Sequence, residues 1–120
     1  MDNRIIQIAS GAPPTDPETA QKFYKWLEEK QVPGIFKYQG IRKAMHCKRI
    51  DLSIPFTPVV TEYPLYITMF EYANREMLDK SMESPDIQHA AQDGVATWGT
   101  DVGIKKIWFT AYEVVKSWEK

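Results

Sequence analysis

Residues 65–72 read Leu65-Tyr66-Ile67-Thr68-Met69-Phe70-Glu71-Tyr72. In an extended chain successive side chains point to opposite faces. Leu65, Ile67 and Met69 then share one side, and Tyr66, Phe70 and Tyr72 the other, with Thr68 between them. Both sides are apolar or aromatic, so this strand needs cover on both faces.

Upstream, the stretch from Gly40 to Leu52 alternates as a second strand. One face carries Ile41, Lys43, Met45, Cys47 and Arg49, the other Arg42, Ala44, His46, Lys48 and Ile50. Between these two strands, Asp51 to Pro64 holds three prolines, which cannot donate to a ladder, so it reads as a loop. Leu52, Ile54, Phe56, Val59 and Val60 load that loop with apolar surface, which predicts packing against a partner chain or a pocket mouth. Further upstream, Arg4 to Ala9 is rich in β-branched residues and reads as a first strand. A helix follows to about Lys30, capped by Thr15 or Asp16, with Pro17 in its first turn and Val32-Pro33-Gly34 as its stop.

Downstream, Asn74 caps a short helix through Met77, Leu78 and Met82. Ser84-Pro85 opens another, with Ile87, Ala91, Gly94, Val95 and Trp98 at helical spacing and Gly99 as its stop. Residues from Gly103 to about Trp118 read as a last long strand. The order is strand, helix, strand, strand, helix, strand, an α+β, ferredoxin-like βαββαβ plan with a four-stranded antiparallel sheet, in one domain over 1–120. Its helices cover one sheet face. A second copy of the chain is the simplest cover for the other, so a homodimer is expected.

Composition narrows the function. The 120 residues are 43% hydrophobic and 26% charged, with a net charge of -1, as in an ordinary globular protein. No run approaches the roughly 18 apolar residues of a membrane span, and the N-terminus lacks a signal-peptide pattern. With Cys47 alone there is no intramolecular disulfide, and a cytoplasmic address is the default expectation. Residues 1–50 hold nine Lys and Arg against five Asp and Glu. That excess is interrupted by apolar residues and does not dominate the chain, so a nucleic-acid partner is not expected.

At this point the sequence resembles the dimeric α+β barrel superfamily and, within it, the EthD-like group. The resemblance lies in Trp26-Leu-Glu-Glu-Lys-Gln-Val-Pro33 followed by Gly40-Ile-Arg-Lys-Ala44, then in Ser84-Pro85 and the aromatic last strand. It resembles a pattern of an aromatic-rich helix ending in His-x-Pro, then a Gly that opens a basic strand. Gln31 stands where the pattern has its His. An amide cannot exchange a proton near neutral pH as imidazole does, but it can orient a ligand by hydrogen bonding.

The resemblance implies a cofactor-independent enzyme acting on a small apolar aromatic or polyketide-like carbonyl compound, by isomerase, cyclase or lyase-type proton transfer or by cofactor-free oxygenation. A non-catalytic dimeric ligand-binding or accessory protein is the alternative. His46 is the first candidate base, sharing a strand face with Ala44 and Arg42, where a guanidinium could hold an anionic oxygen. The competing account makes His46 structural and Arg42 a solvated strand charge. Tyr66 or Tyr112 could stabilise developing charge. His89, four residues before Asp93 on a helix, is the reserve base, or else half of a surface pair. Gln31, Phe70, Trp98, Trp108 and Tyr112 are candidate ligand-binding residues, although core and dimer interface must claim most aromatics. Neither histidine has clustered metal-type ligands, and there is no Gly-rich phosphate loop, GxSxG or HExxH. No metal or cofactor is expected.

Overall fold

The computed structural model describes residues 2–11, 14–50, 55, 64–99 and 108–120, with Trp108 described by its backbone only. Strands Ile5–Ser10 (β1), Ile41–Lys48 (β2), Tyr66–Tyr72 (β3) and Trp108–Glu113 (β4) form one sheet in the order β2-β3-β1-β4. Every neighbouring pair is antiparallel. Between β1 and β2 come helix Pro17–Trp26 (α1), a π-helical turn Leu27–Gln31 and helix Val32–Phe36 (α2). Between β3 and β4 come helix Arg75–Asp79 (α3), a 3₁₀ turn Ser81–Glu83 and helix Pro85–Trp98 (α4). No helix among the described residues is long and apolar enough to cross a membrane.

The helical layer packs on one sheet face. Ile5, Ile41, Phe70 and Tyr72 of the sheet cluster with Tyr38, and Val32, Ile35, Met77, Leu78 and Ile87 close over them. Each large side chain removed from water in this way contributes about 1.5–3 kcal/mol. The opposite face carries Ile8, Met69 and Tyr112, and no described helix lies on it.

Caps form where short polar side chains precede the helices. The Asp16 carboxylate accepts from the Thr19 amide, the Asn74 carbonyl from the Met77 amide, and the Ser84 hydroxyl from the Ile87 amide. Gly99 ends α4 at φ 74°, the left-handed region that suits glycine.

Several elements depart from the sequence reading. The first helix does not stop at Val32-Pro33-Gly34 but continues to Phe36. A proline inside an α-helix loses a bond and clashes with the carbonyl four residues back. The π turn removes that conflict: the Val32 amide bonds the Leu27 carbonyl five residues back, and Pro33 falls in the first turn of a new α segment. In α4 the buried positions are Ala90 and Gly94, while Ala91 and Val95 are exposed. The last strand ends at Glu113, and Val115 and Trp118 beyond it are 92% and 79% exposed. Most of the Asp51–Pro64 loop, and Ile104 and Ile107, lie outside the described residues.

Strand β2 holds the departure that matters most. Ile41 pairs with Tyr72, yet Lys43 pairs with Glu71, so Arg42 is an extra residue in a bulge. Beyond it Ala44, His46 and Lys48 oppose Phe70, Thr68 and Tyr66 on the helix-covered face. The face shared by Arg42, Ala44 and His46 in the sequence reading does not exist: before the bulge the helix-facing residue is Ile41, and Arg42 is exposed.

Candidate functional site

One row of the sheet forms the floor of a pocket. His46 on β2 opposes Thr68 on β3, Thr68 opposes Ala9 on β1, and Ala9 opposes Phe109 on β4. All four line a pocket of about 120 Å³ between the sheet and the first helical stretch. Ala9, at the centre of the row, leaves the space that a larger side chain would fill. The roof is Phe23, Tyr24, Leu27, Gln31, Val32 and Ile35, and the walls include Tyr66 and Phe70. The π turn belongs to this site: it carries Leu27 and Gln31 over the floor, and such turns recur at functional sites.

The polar groups in this largely apolar space are few. The His46 Nδ1 lies 3.1 Å from the Thr68 Oγ1. Its Nε2 and the Gln31 Oε1 are both buried and have no hydrogen-bond partner among the described residues. The Tyr66 ring lies parallel to the imidazole with centroids 5.4 Å apart, and the Tyr24 ring follows 4.0 Å from Tyr66. Burial holds the His46 pKa below its ordinary value, opposed by the Glu28 carboxylate. Burial also raises that of Tyr24, aided by Tyr66. The site therefore offers a neutral imidazole, an amide and phenols to a ligand whose body is apolar.

The structure brings four of the sequence-predicted residues together here: His46, Tyr66, Gln31 and Phe70. It places the others elsewhere. Arg42 sits in the exposed bulge. His89 is exposed on α4, and no ion pair joins it to Asp93 among the described residues. Trp98 packs behind the pocket, with its ring 5.3 Å from Phe23 and 6.1 Å from Trp26. Tyr112 opposes Ile6, on the sheet face away from His46, and is 58% exposed. The Trp108 side chain lies outside the described residues. Sequence reasoning missed Thr68 and Tyr24. Alternation along β3 already set Thr68 among the tyrosines, but its pairing with His46 is a matter of register, which one strand does not reveal.

No family model matches the sequence, and no curated protein matches it. Solved structures do. An EthD family protein from Bacillus halodurans C-125 superimposes with a TM-score of 0.65 at 16% identity, over 93% of this chain and 99% of that one. SnoaB, a cofactor-independent oxygenase from Streptomyces nogalater, gives 0.62 at 5% identity, over 98% and 99%. A dimeric ferredoxin-like protein of unknown function from Jannaschia sp. CCS1 gives 0.61 at 16% identity, over 92% and 99%. The chain has the ferredoxin-like α+β fold. An EthD family protein stands among its structural neighbours, as the sequence resemblance implied.

Proposed function

We propose that this chain works as a homodimer, as a cofactor-independent enzyme that moves a proton on a small apolar aromatic or polyketide-like carbonyl compound. The observation that carries the reading is His46, which lines an apolar pocket with one ring nitrogen engaged and with its Nε2 buried and unpartnered among the described residues. In the step, the imidazole takes a proton from the carbon beside the carbonyl. The C–H electron pair forms a C=C bond to the carbonyl carbon as the C=O π pair moves onto the oxygen, giving an enolate. The Tyr66 hydroxyl and the Gln31 side-chain NH₂ supply donors for that oxygen, and the imidazolium returns the proton to another carbon. The likeness to SnoaB, a cofactor-independent oxygenase, supports a variant in which dioxygen is the oxidant that meets the carbanion. The sheet face that no described helix covers and the dimeric ferredoxin-like neighbour support the homodimer.

The test is a panel of small aromatic and polyketide-type ketones in D₂O, with deuterium uptake beside the carbonyl followed by NMR. The wild type should exchange at least one of them, and His46→Gln should slow that exchange about 10²–10⁴-fold. Binding without exchange would overturn the enzymatic reading in favour of a ligand-binding protein.

A further inference from the structure

We infer that Thr68 is a positioning residue for His46, holding the imidazole as the Nδ1–H tautomer so that Nε2 keeps a free lone pair in the ring that lines the pocket. This deepens the proton-transfer reading and rests on it for its catalytic consequence, but the tautomer itself is a property of the free protein.

A neutral imidazole carries its proton on one nitrogen, and the partner of the other decides which. Here the partner is a hydroxyl, which can accept or donate. Two arrangements result. If the Nδ1–H donates to Thr68 Oγ1, the group left bare is the Nε2 lone pair. If the hydroxyl donates to Nδ1, the group left bare is a buried Nε2–H. Buried N–H groups without a partner are rarer than buried acceptors without one, which favours the first arrangement.

The surroundings hold the ring in the orientation this requires. Thr68 is only 8% exposed, so water competes weakly for its hydroxyl. Thr68 and His46 are direct cross-strand partners, and β-branched threonine has few χ1 choices. The parallel Tyr66 ring, tilted by 5°, limits rocking of the imidazole plane. A base needs its lone pair where the ligand is, and this pair of β3 residues supplies that condition.

The experiment is a long-range ¹H–¹⁵N correlation of the histidine rings in the ligand-free protein, at a pH above the imidazole titration. It is run on the wild type, Thr68→Val and Thr68→Ser, with exposed His89 as internal reference. The wild type should show His46 protonated on Nδ1. Thr68→Ser should keep that pattern. Thr68→Val should shift the ratio of the two tautomers roughly two- to tenfold, the worth of one neutral hydrogen bond, with His89 unmoved. A wild-type His46 protonated on Nε2 would overturn the inference, as would an unchanged ratio in Thr68→Val. If Thr68→Val does not fold, the wild-type and Thr68→Ser spectra still decide it. Correct tautomers combined with full turnover in His46→Gln would sink the proton-transfer reading and leave the positioning role of Thr68 intact.

Discussion

The imidazole of His46 and the phenol ring of Tyr66 lie parallel, although they belong to different strands and are not direct partners in the ladder. His46 opposes Thr68 and Tyr66 opposes Lys48, so the two rings are diagonal neighbours, within the reach of aromatic side chains. The stack covers one face of the imidazole, and the pocket roof limits water on the rest. Charge on His46 is disfavoured for that reason.

His46 should therefore titrate below the ordinary histidine value of about 6.5. The sign for stability follows from linkage. As pH falls below the unfolded value, the unfolded chain takes up the proton first, so the folded state loses stability. The loss ends once pH passes the lowered folded value. His46→Gln should remove this part of the pH dependence. NMR titration of the histidine ring protons gives the first result, and urea melts between neutral and mildly acid pH give the second. A midpoint at or above the ordinary value would contradict the burial argument.

Ile8 lies on the sheet face that no described helix covers, opposite Met69 and Thr110. If a second copy covers this face, Ile8→Lys places an ammonium in an interface of roughly 2,000 Å² or more. Light scattering should then find the wild type dimeric at micromolar concentration and the variant monomeric or unfolded, since monomers of obligate dimers often do not fold alone. A folded wild-type monomer would refute the homodimer.

Gly40 has a steric reason to be glycine. A Cβ there would stand 2.6 Å from the Tyr38 ring and 2.9 Å from the Met77 Cβ. Neither neighbour yields easily, because the Tyr38 hydroxyl donates to the Met77 carbonyl at 2.7 Å and both pack in the core. Gly40→Ala should cost about 1–3 kcal/mol, the usual penalty of overpacking. The shift in urea midpoint measures it. Since Gly40 opens β2, the variant should also test whether the strand carrying His46 tolerates displacement at its start.

The element order and the helix caps were legible because each rests on local chemistry. Asn74, Ser84-Pro85 and Gly99 act within a few residues of themselves. The pocket was only half legible. His46, Tyr66, Gln31 and Phe70 were identifiable as residue types that suit such a site. Their company was not, because it depends on register. One extra residue at Arg42 changes which upstream side chain shares the face of His46, and alternation alone carries no mark of a bulge. The π turn was hidden for a similar reason. Pro33 reads as a helix stop, and only the widened turn before it lets the helix continue.

Gln31 gives the last prediction, because its carbonyl serves no visible purpose in the protein alone. The Gln31 Oε1 is buried and makes no hydrogen bond among the described residues. A buried polar atom without a partner costs about 1–3 kcal/mol. Leucine is similar in size and carries no such group. Gln31→Leu should therefore raise stability, by about 1 kcal/mol once some loss of side-chain fit is allowed for. If the amide is there to meet a ligand, its carbonyl accepting from a ligand O–H or N–H or its NH₂ donating to a ligand oxygen, the same change should weaken binding of a ligand that carries such a group by roughly tenfold or more, the cost of leaving the ligand's polar group unpaired. Thermal melts and ligand titration on one pair of proteins read both effects. Higher stability with weaker binding is the signature of a group kept for function. Lower stability with unchanged binding would make Gln31 a packing residue and take it out of the site.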